Sequence, residues 1–167
     1  RIYRIDYLIA SHGDFDHIGA KDSLMAHFPV GRFVDEASSF PLQIGGLRFE
    51  NQNPYGGSEE NEESLALSLE FLGKKWLFMG DAPSTIEALI IADRPDLDCD
   101  ILKVGHHGSA TSSSFEFLKT VSPETAIVSV GAKNAYRHPS PDVLERLRSL
   151  GIAVRLTSEE GTITYRK

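Results

Sequence analysis

"SHGDFDHIGA", residues 11–20, sets His12, Asp14, Asp16 and His17 within six consecutive positions. Just ahead lies the apolar run Tyr7-Leu8-Ile9-Ala10, which reads as the end of a buried strand halted by Ser11-His12. Imidazole and carboxylate are side chains that hold zinc, manganese or iron. On a tight turn leaving a strand, alternate residues face a common point. His12 and Asp14 can therefore serve one point while Asp16 and His17 serve a neighbouring one, which suits two metal ions a few ångströms apart. The plainer alternative is a polar turn whose aspartate caps the next helix.

The rest of the chain has to supply a fold that gathers such ligands. Its 167 residues, 41% hydrophobic and 25% charged, fit one globular domain over residues 1–167 with a real core. The net charge of −7 argues against a surface that coats polyanions, so any nucleic-acid contact is local and assisted by cations. Cys99 is the only cysteine, which excludes an intramolecular disulfide and a thiolate cluster. No apolar run approaches the ~20 residues that span a bilayer, and no signal peptide is visible. The chain opens straight into a strand and the ligand cluster, which reads as a piece of something longer.

Outward from the cluster, hydrophobic spacing predicts a strand over 5–10 and a helix over 16–28 stopped by Pro29, then short strands over 31–35 and 47–52. Residues 53–63 form a polar, acidic loop. A hairpin over 64–73 and 75–80 leads into a helix from Asp81 to Asp93 with Pro83 in its first turn. Strand and helix then alternate through "DILKVG", "SSFEFLKTV", "TAIVSVG" and "SPDVLERLRSLG", and "AVRLTS" with "TITYR" is expected to close the chain as a hairpin around Glu160-Gly161. The class is α/β with antiparallel hairpins mixed in.

Other ligand-type residues stand at predicted strand ends. Asp81 follows "KWLFMG", where it either caps the next helix or bridges two ions. His106 and His107 follow "ILKVG" and precede Gly108-Ser109-Ala110-Thr111-Ser112, and His138 lies in "NAYRHPSPD". Crevices at the carboxyl ends of strands are where open α/β sheets bind ligands.

Taken in order, H-x-D-x-D-H, Gly80-Asp81 and "LKVGHHGS" resemble the metallo-β-lactamase superfamily, with Asp14 in place of the second histidine of its H-x-H-x-D-H motif. Within it, "SHGDFDHIGA", "DILKVGHHGSATS", "SVG" and the Asn134-x-Tyr136-x-His138-Pro139 pattern resemble the C-terminal domain of the ComEC competence proteins. The chain departs from that pattern at Ala20 and Arg137, where glycines are usual. The resemblance implies an αββα four-layer sandwich, here lacking its first strands. It implies one ion on His12 and Asp14, a second on Asp16, His17 and His107, and Asp81 as the bridge. His107 is preferred to His106 because its spacing from Asp81 suits phosphodiesterase relatives. Asp16, His106 and His138 are the candidate catalytic groups, the two histidines facing the substrate phosphate or donating a proton. Ser109, Thr111, Ser112 and Arg137 are the candidate substrate contacts. A Ser-rich loop of this kind equally serves as a helix cap. Lys103 and Lys133 are placed near the rim.

The chain has no histidine between His27 and His106, so the first ion has few protein ligands unless Asn61, Glu36 or water completes its shell. An oxygen-rich shell favours manganese as the working ion, with zinc able to bind. The resemblance implies a metal-dependent nuclease that hydrolyses the non-imported DNA strand. It would be an extracytoplasmic part of a bacterial membrane channel protein, with single-stranded DNA, the rest of that channel and the DNA-uptake machinery as partners. A phosphodiesterase acting on cell-wall phosphorylcholine and a non-catalytic, metal-stabilised module that guides DNA are the alternatives.

Overall fold

A computed structural model describes residues 2–166. Two sheets form, one large and one small. In the large sheet seven strands lie side by side in chain order: β3 (Leu42–Ile44), β4 (Leu47–Asn51), β5 (Leu67–Phe71), β6 (Lys74–Phe78), β7 (Ile101–Lys103), β8 (Thr125–Val128) and β9 (Ala153–Leu156). Pairing is antiparallel from β3 to β6 and parallel from β6 to β9. The change of direction has a simple cause. The first four strands follow one another through short turns or a loop, whereas each parallel pair is joined by a helix.

Those helices are α3 (Ser84–Asp93), α4 (Phe115–Val121) and α5 (Pro141–Ser149). Because the parallel strands advance across the sheet in one direction, crossovers of one hand bring all three to one face. There Ile86, Ile90, Phe117, Leu118, Val143 and Leu147 meet Leu77, Leu102 and Ala126 in a single buried cluster. The capping is local and legible. Ser114 and Ser140 accept the backbone N–H groups of Phe117 and Asp142.

The small sheet consists of β1 (Ile5–Ile9) and β2 (Val30–Val34), paired in parallel with Ile5 opposite Val30. Their connection carries α1 (Phe15–Ile18) and α2 (Lys21–His27), and Lys21 lies over the Phe33 ring at 3.9 Å. Ile9 and Ala10 line a common cleft with Phe49, Leu67 and Phe78 on the face of the large sheet opposite the three helices. The layers thus run helix, two strands, seven strands, helix, which is the four-layer α/β arrangement expected, with one short sheet.

Three expectations need correction. The helix predicted over 16–28 is two helices, because its hydrogen-bond ladder stops at Gly19 and restarts from Ala20. Strand β3 has no counterpart among the predicted elements; it is three residues long and turns into β4 through Gly45-Gly46, Gly45 sitting at φ 57° as such a tight turn requires. The closing hairpin does not form. Thr157 receives the Val130 N–H on its hydroxyl, and residues Thr157–Glu160 coil into the short helix α6, braced by the Arg155–Glu160 ion pair. Tyr165 then packs edge-on against Trp76 of β6, so the tail crosses the sheet face rather than extending its edge.

Candidate metal centre

The ligand-type residues of the sequence pattern lie in segments that follow the carboxyl ends of strands. Ala10 N–H continues the β1–β2 pairing by donating to Val34, and Leu65 N–H donates to the Ser11 carbonyl, which ties the start of the 11–17 turn to the strand entering β5. Asp14 occupies the residue before α1, yet its carboxylate makes no capping hydrogen bond. It meets His12 instead, Oδ2 lying 3.4 Å from Nε2. The helix-cap alternative therefore does not describe it.

Asp81 follows β6 and is 2% exposed. Pro83, not Asp81, stands at the cap position of α3. Gly80 makes the approach feasible. It has φ 54°, and a Cβ there would come 3.0 Å from the Cβ atoms of both Ser11 and Ser64, so three chain segments meet over a bare backbone. Ser64 Oγ accepts the Asp81 N–H at 3.0 Å, and Gly80 O accepts the His106 N–H at 3.0 Å.

Four imidazoles turn Nε2 toward the Asp81 carboxylate. His17 lies 3.2 Å and His107 3.9 Å from Oδ1, while His106 lies 3.8 Å and His12 4.0 Å from Oδ2. Asp16 joins from α1, with Oδ2 3.3 Å from His107 Nε2 and 3.9 Å from His17 Nε2. One donor atom each of Asp16, His17, Asp81 and His107 lie within 4.8 Å of one another.

The far nitrogens are held. Ser11 Oγ contacts Nδ1 of both His12 (3.0 Å) and His17 (2.9 Å). His107 Nδ1–H donates to the Ser129 carbonyl at 2.6 Å, and Thr111 Oγ1 lies 3.4 Å from His106 Nδ1. The Ser129 carbonyl can only accept, so it sets the His107 tautomer and leaves that Nε2 lone pair toward the centre; the Ser11 and Thr111 hydroxyls orient the other three rings. Ser11 and the Ser129 carbonyl are the functional groups that sequence reasoning misses. The serine preceding the ligand motif is a usable signal, whereas a backbone carbonyl leaves none.

Electrostatics agree with a cation site. Burial pushes the Asp81 carboxyl up, but contact with His17 and the charges of His17, His106 and His107 outweigh it and bring the pKa down to about 2. Burial and the neighbouring His17 lower His12, whereas contact with Asp81 raises His17. His12 Nε2 and Asp81 Oδ1 are buried and have no aligned hydrogen-bond partner among the described residues, a costly state unless something else satisfies them. Buried unpaired donors facing an anionic carboxylate, all nitrogen or oxygen, fit divalent cations.

With that geometry in view, the relatives decide the family. The family model described as "Metallo-beta-lactamase superfamily" matches residues 1–61. The chain is 35% identical over 193 residues to ComE operon protein 3 of Bacillus subtilis, covering 99% of this chain and 25% of that protein. Competence protein ComA of Neisseria gonorrhoeae is 32% identical, covering 98% and 26%. Recombination protein 2 of Haemophilus influenzae is 28% identical, covering 95% and 22%. The chain belongs to the metallo-β-lactamase superfamily. It spans about a quarter of the length of these curated relatives. A solved structure, "CmlA beta-hydroxylase E377D mutant", superposes with TM-score 0.60 at 12% identity, over 93% of this chain and 44% of that one. That likeness shows the fold alone; a superfamily fold named for lactamases also carries a hydroxylase, so chemistry has to be read from the side chains.

Around this superfamily centre the remaining candidates separate. Ser109 Oγ and Thr111 Oγ1 lie 3.0 Å apart beside His106. Ser112 does not face the cleft: it is fully buried and its hydroxyl donates within the turn, to the Gly105 carbonyl at 2.8 Å, holding the two histidines in place. His138 ends the loop after β8, its ring edge-on to His106 at 5.7 Å and stacked on Tyr136, which is 81% exposed. Arg137 and Lys133 are exposed on the same loop. Lys103 is not at the rim. It points between the sheets and donates to the Val104 carbonyl at 2.7 Å, and burial lowers its ammonium below the usual lysine value. Glu36 stands at the start of a separate turn, Ala37–Ser39, with its carboxylate on Ser38. Asn61 keeps a buried, unpartnered Oδ1 on the turn Glu60–Glu63, whose Glu60 is raised by contact with Asp14.

Proposed function

We propose that this domain is a metal-dependent phosphodiesterase whose substrate is DNA, a nuclease that hydrolyses the strand not imported during uptake. One observation carries the reading: four imidazole Nε2 atoms converge on a buried Asp81, whose Oδ1 has no aligned hydrogen-bond partner among the described residues although His17 Nε2 lies 3.2 Å away. Asp16, His17, His107 and Asp81 Oδ1 would hold one ion; His12, Asp14 and Asp81 Oδ2 would hold another. When bound, such a pair supplies the Lewis acidity that activates water near neutral pH and neutralises the charge of a phosphodiester.

The protein's own groups have separate tasks. Asp81 sets the separation and charge balance of the two sites. Asp16, on the open side of the cleft, orients the attacking water. His138 stands outside the converging set, next to the cleft, and donates a proton to the departing alkoxide oxygen, an ordinary task for imidazole near pH 7. Ser109, Thr111 and Arg137 contact the phosphate. An acidic chain, net charge −7, needs bound cations before it admits a polyanion, which agrees with a metal-gated DNA site. Carboxylates on the first site favour manganese as the working ion, zinc binding but supporting less turnover.

Kinship with proteins named for competence supports assignment to DNA uptake, with the remaining channel and the uptake machinery as partners and an extracytoplasmic position at the membrane. Among the described residues no helix is long and apolar enough to cross a membrane. The deciding experiment incubates the purified protein with single- and double-stranded DNA, a phosphorylcholine ester and a β-lactam, each with Mn²⁺, Mg²⁺ or Zn²⁺. Cleavage of DNA with Mn²⁺ is the expected result. Turnover of the choline ester alone would reassign the substrate, and ion binding without turnover of any substrate would make this a non-catalytic module.

A further inference from the structure

We infer that His106 is a ligand of the first ion rather than a substrate-facing acid, so that the adjacent pair His106-His107 serves two different ions across Asp81. This rests on the two-ion reading above. The chain offers no histidine between His27 and His106, which leaves that ion short of imidazole unless His106 provides it.

Direction comes first. His106 Nε2 approaches Asp81 Oδ2 at 3.8 Å, the same oxygen that His12 Nε2 faces at 4.0 Å, whereas His107 Nε2 approaches Oδ1 at 3.9 Å. Donors about 2 Å from one ion at tetrahedral angles lie roughly 3–4 Å apart. A proton donor would aim its nitrogen at the substrate, not at the bridging carboxylate.

The backbone explains how neighbours in sequence reach opposite sides. His106 (φ 46°, ψ 46°) and His107 (φ 52°, ψ 21°) both lie in the left-handed region, which side chains other than glycine seldom occupy. An ordinary extended or helical pair would not bring both rings onto one carboxylate. The conformation is held from both ends. Gly80 O accepts the His106 N–H, and Ser140 N–H donates to Gly108 O at 2.8 Å. Gly108 itself has φ 83° and packs so closely on Pro139 that a Cβ would lie 2.6 Å from the proline Cβ. Strain of this kind persists where surrounding structure over-determines it, and it clusters at functional sites.

His106 also shares the arrangement of the other three inward-facing histidines: Nδ1 near an oxygen, here Thr111 Oγ1, and Nε2 toward Asp81. His138 has neither feature among the described contacts; Asn134 holds only its backbone N–H and carbonyl. The proton-donor role therefore stays with His138 alone.

The test is a Mn²⁺ titration of the metal-free protein, followed by bound-ion stoichiometry and electron paramagnetic resonance. Wild type should take two ions and show the broadened spectrum of an exchange-coupled pair. His106→Ala should keep one tightly held ion with an uncoupled six-line spectrum, and His107→Ala should show the reciprocal loss. Circular dichroism checks folding, and His106→Gln, which preserves bulk, should weaken only the first ion by at least tenfold if the alanine variant unfolds. Two coupled ions in His106→Ala, held within about twofold of wild type, would overturn the inference and leave the two-ion site standing. Fewer than two ions in wild type would overturn both.

Discussion

On the Oδ1 side of Asp81, donor atoms of Asp16, His17 and His107 crowd within 4.8 Å of one another and of the carboxylate. On the Oδ2 side no imidazole comes as near as His17 does at 3.2 Å: His106 lies at 3.8 Å and His12 at 4.0 Å, and Asp14 contacts His12 rather than Asp81. The difference follows from what anchors each set. Ser11 anchors one histidine on each side, His17 at 2.9 Å and His12 at 3.0 Å; the sides differ in the other, His107 being fixed by a backbone carbonyl at 2.6 Å whereas His106 leans on an exposed threonine at 3.4 Å, and Asp14 sits against another acid, Glu60. On the proposed two-ion reading, the Oδ1 side is the more fully assembled of the two, and the Oδ2 side would close on its ion. A preorganised shell binds more tightly because less ordering remains to be done on binding.

The severest way to break this contrast is to remove what both halves share. Asp81→Ala should lower DNA cleavage by ~10³-fold or more, since preorganised electrostatics of this kind are worth 10²–10³ singly, and should leave neither ion stably bound. Turnover assays with ion analysis check it, and near-native activity would discard the centre. Next, His138→Ala should lower turnover by ~10²-fold with ion content unchanged. Ion loss in that variant would make His138 a ligand and revise the division between the halves.

Smaller changes sharpen the contrast. Ser11→Ala removes the oxygen that holds His12 and His17 together, so affinity for both ions should fall roughly tenfold, the usual scale for an outer partner of a ligating histidine. Calorimetric Mn²⁺ titration reads this, and an effect on one ion alone would show that the two halves are uncoupled at Ser11. Asp14→His should shift the first ion toward zinc; competition between Mn²⁺ and Zn²⁺ measures it, and an unchanged ratio would remove the oxygen-rich-shell argument.

The smallest effect concerns the scaffold behind the centre. Glu87 on α3 is buried and accepts the N–H groups of Ser113 and Ser114, fixing the end of the His106–Ser112 turn. Burial raises its carboxyl above the ordinary 4.5, more than those hydrogen bonds lower it. The folded state therefore binds the proton more tightly than the unfolded chain. Glu87 contributes most below pH ~4.5, and its contribution declines as pH rises through the folded value. Glu87→Gln should flatten that part of the Tm–pH curve, a change of roughly 2–4 °C per kcal/mol in a chain of this size. An unaltered slope would assign the pH dependence elsewhere.

Much of the centre is legible in the amino-acid sequence because ligation chemistry restricts residue type. His12, Asp14, Asp16, His17, Asp81 and His107 all stand after strands in the sequence pattern, and their side chains lie in one cleft around Asp81. The α/β class is equally legible, because alternation of period two and period 3.6 follows from backbone geometry. The misreadings share a cause. "TITYR" alternates like a strand, but alternation cannot reveal that Tyr165 finds Trp76 across the sheet face. Ser112 looks like a phosphate contact in a Ser-rich loop, but only the folded turn shows its hydroxyl bonded inward to Gly105.

The order of residues alone supplies the inventory: which donor side chains exist, that they follow strands, and that no histidine lies between His27 and His106. Which Asp81 oxygen each imidazole faces is settled by folding. Whether His106 faces Oδ1, Oδ2 or solvent depends on two left-handed backbone angles held by Gly80 and by the Gly108–Ser140 hydrogen bond, contacts between segments far apart along the chain. Local propensity disfavours those angles, so no reading of neighbouring residues yields them; long-range packing imposes them.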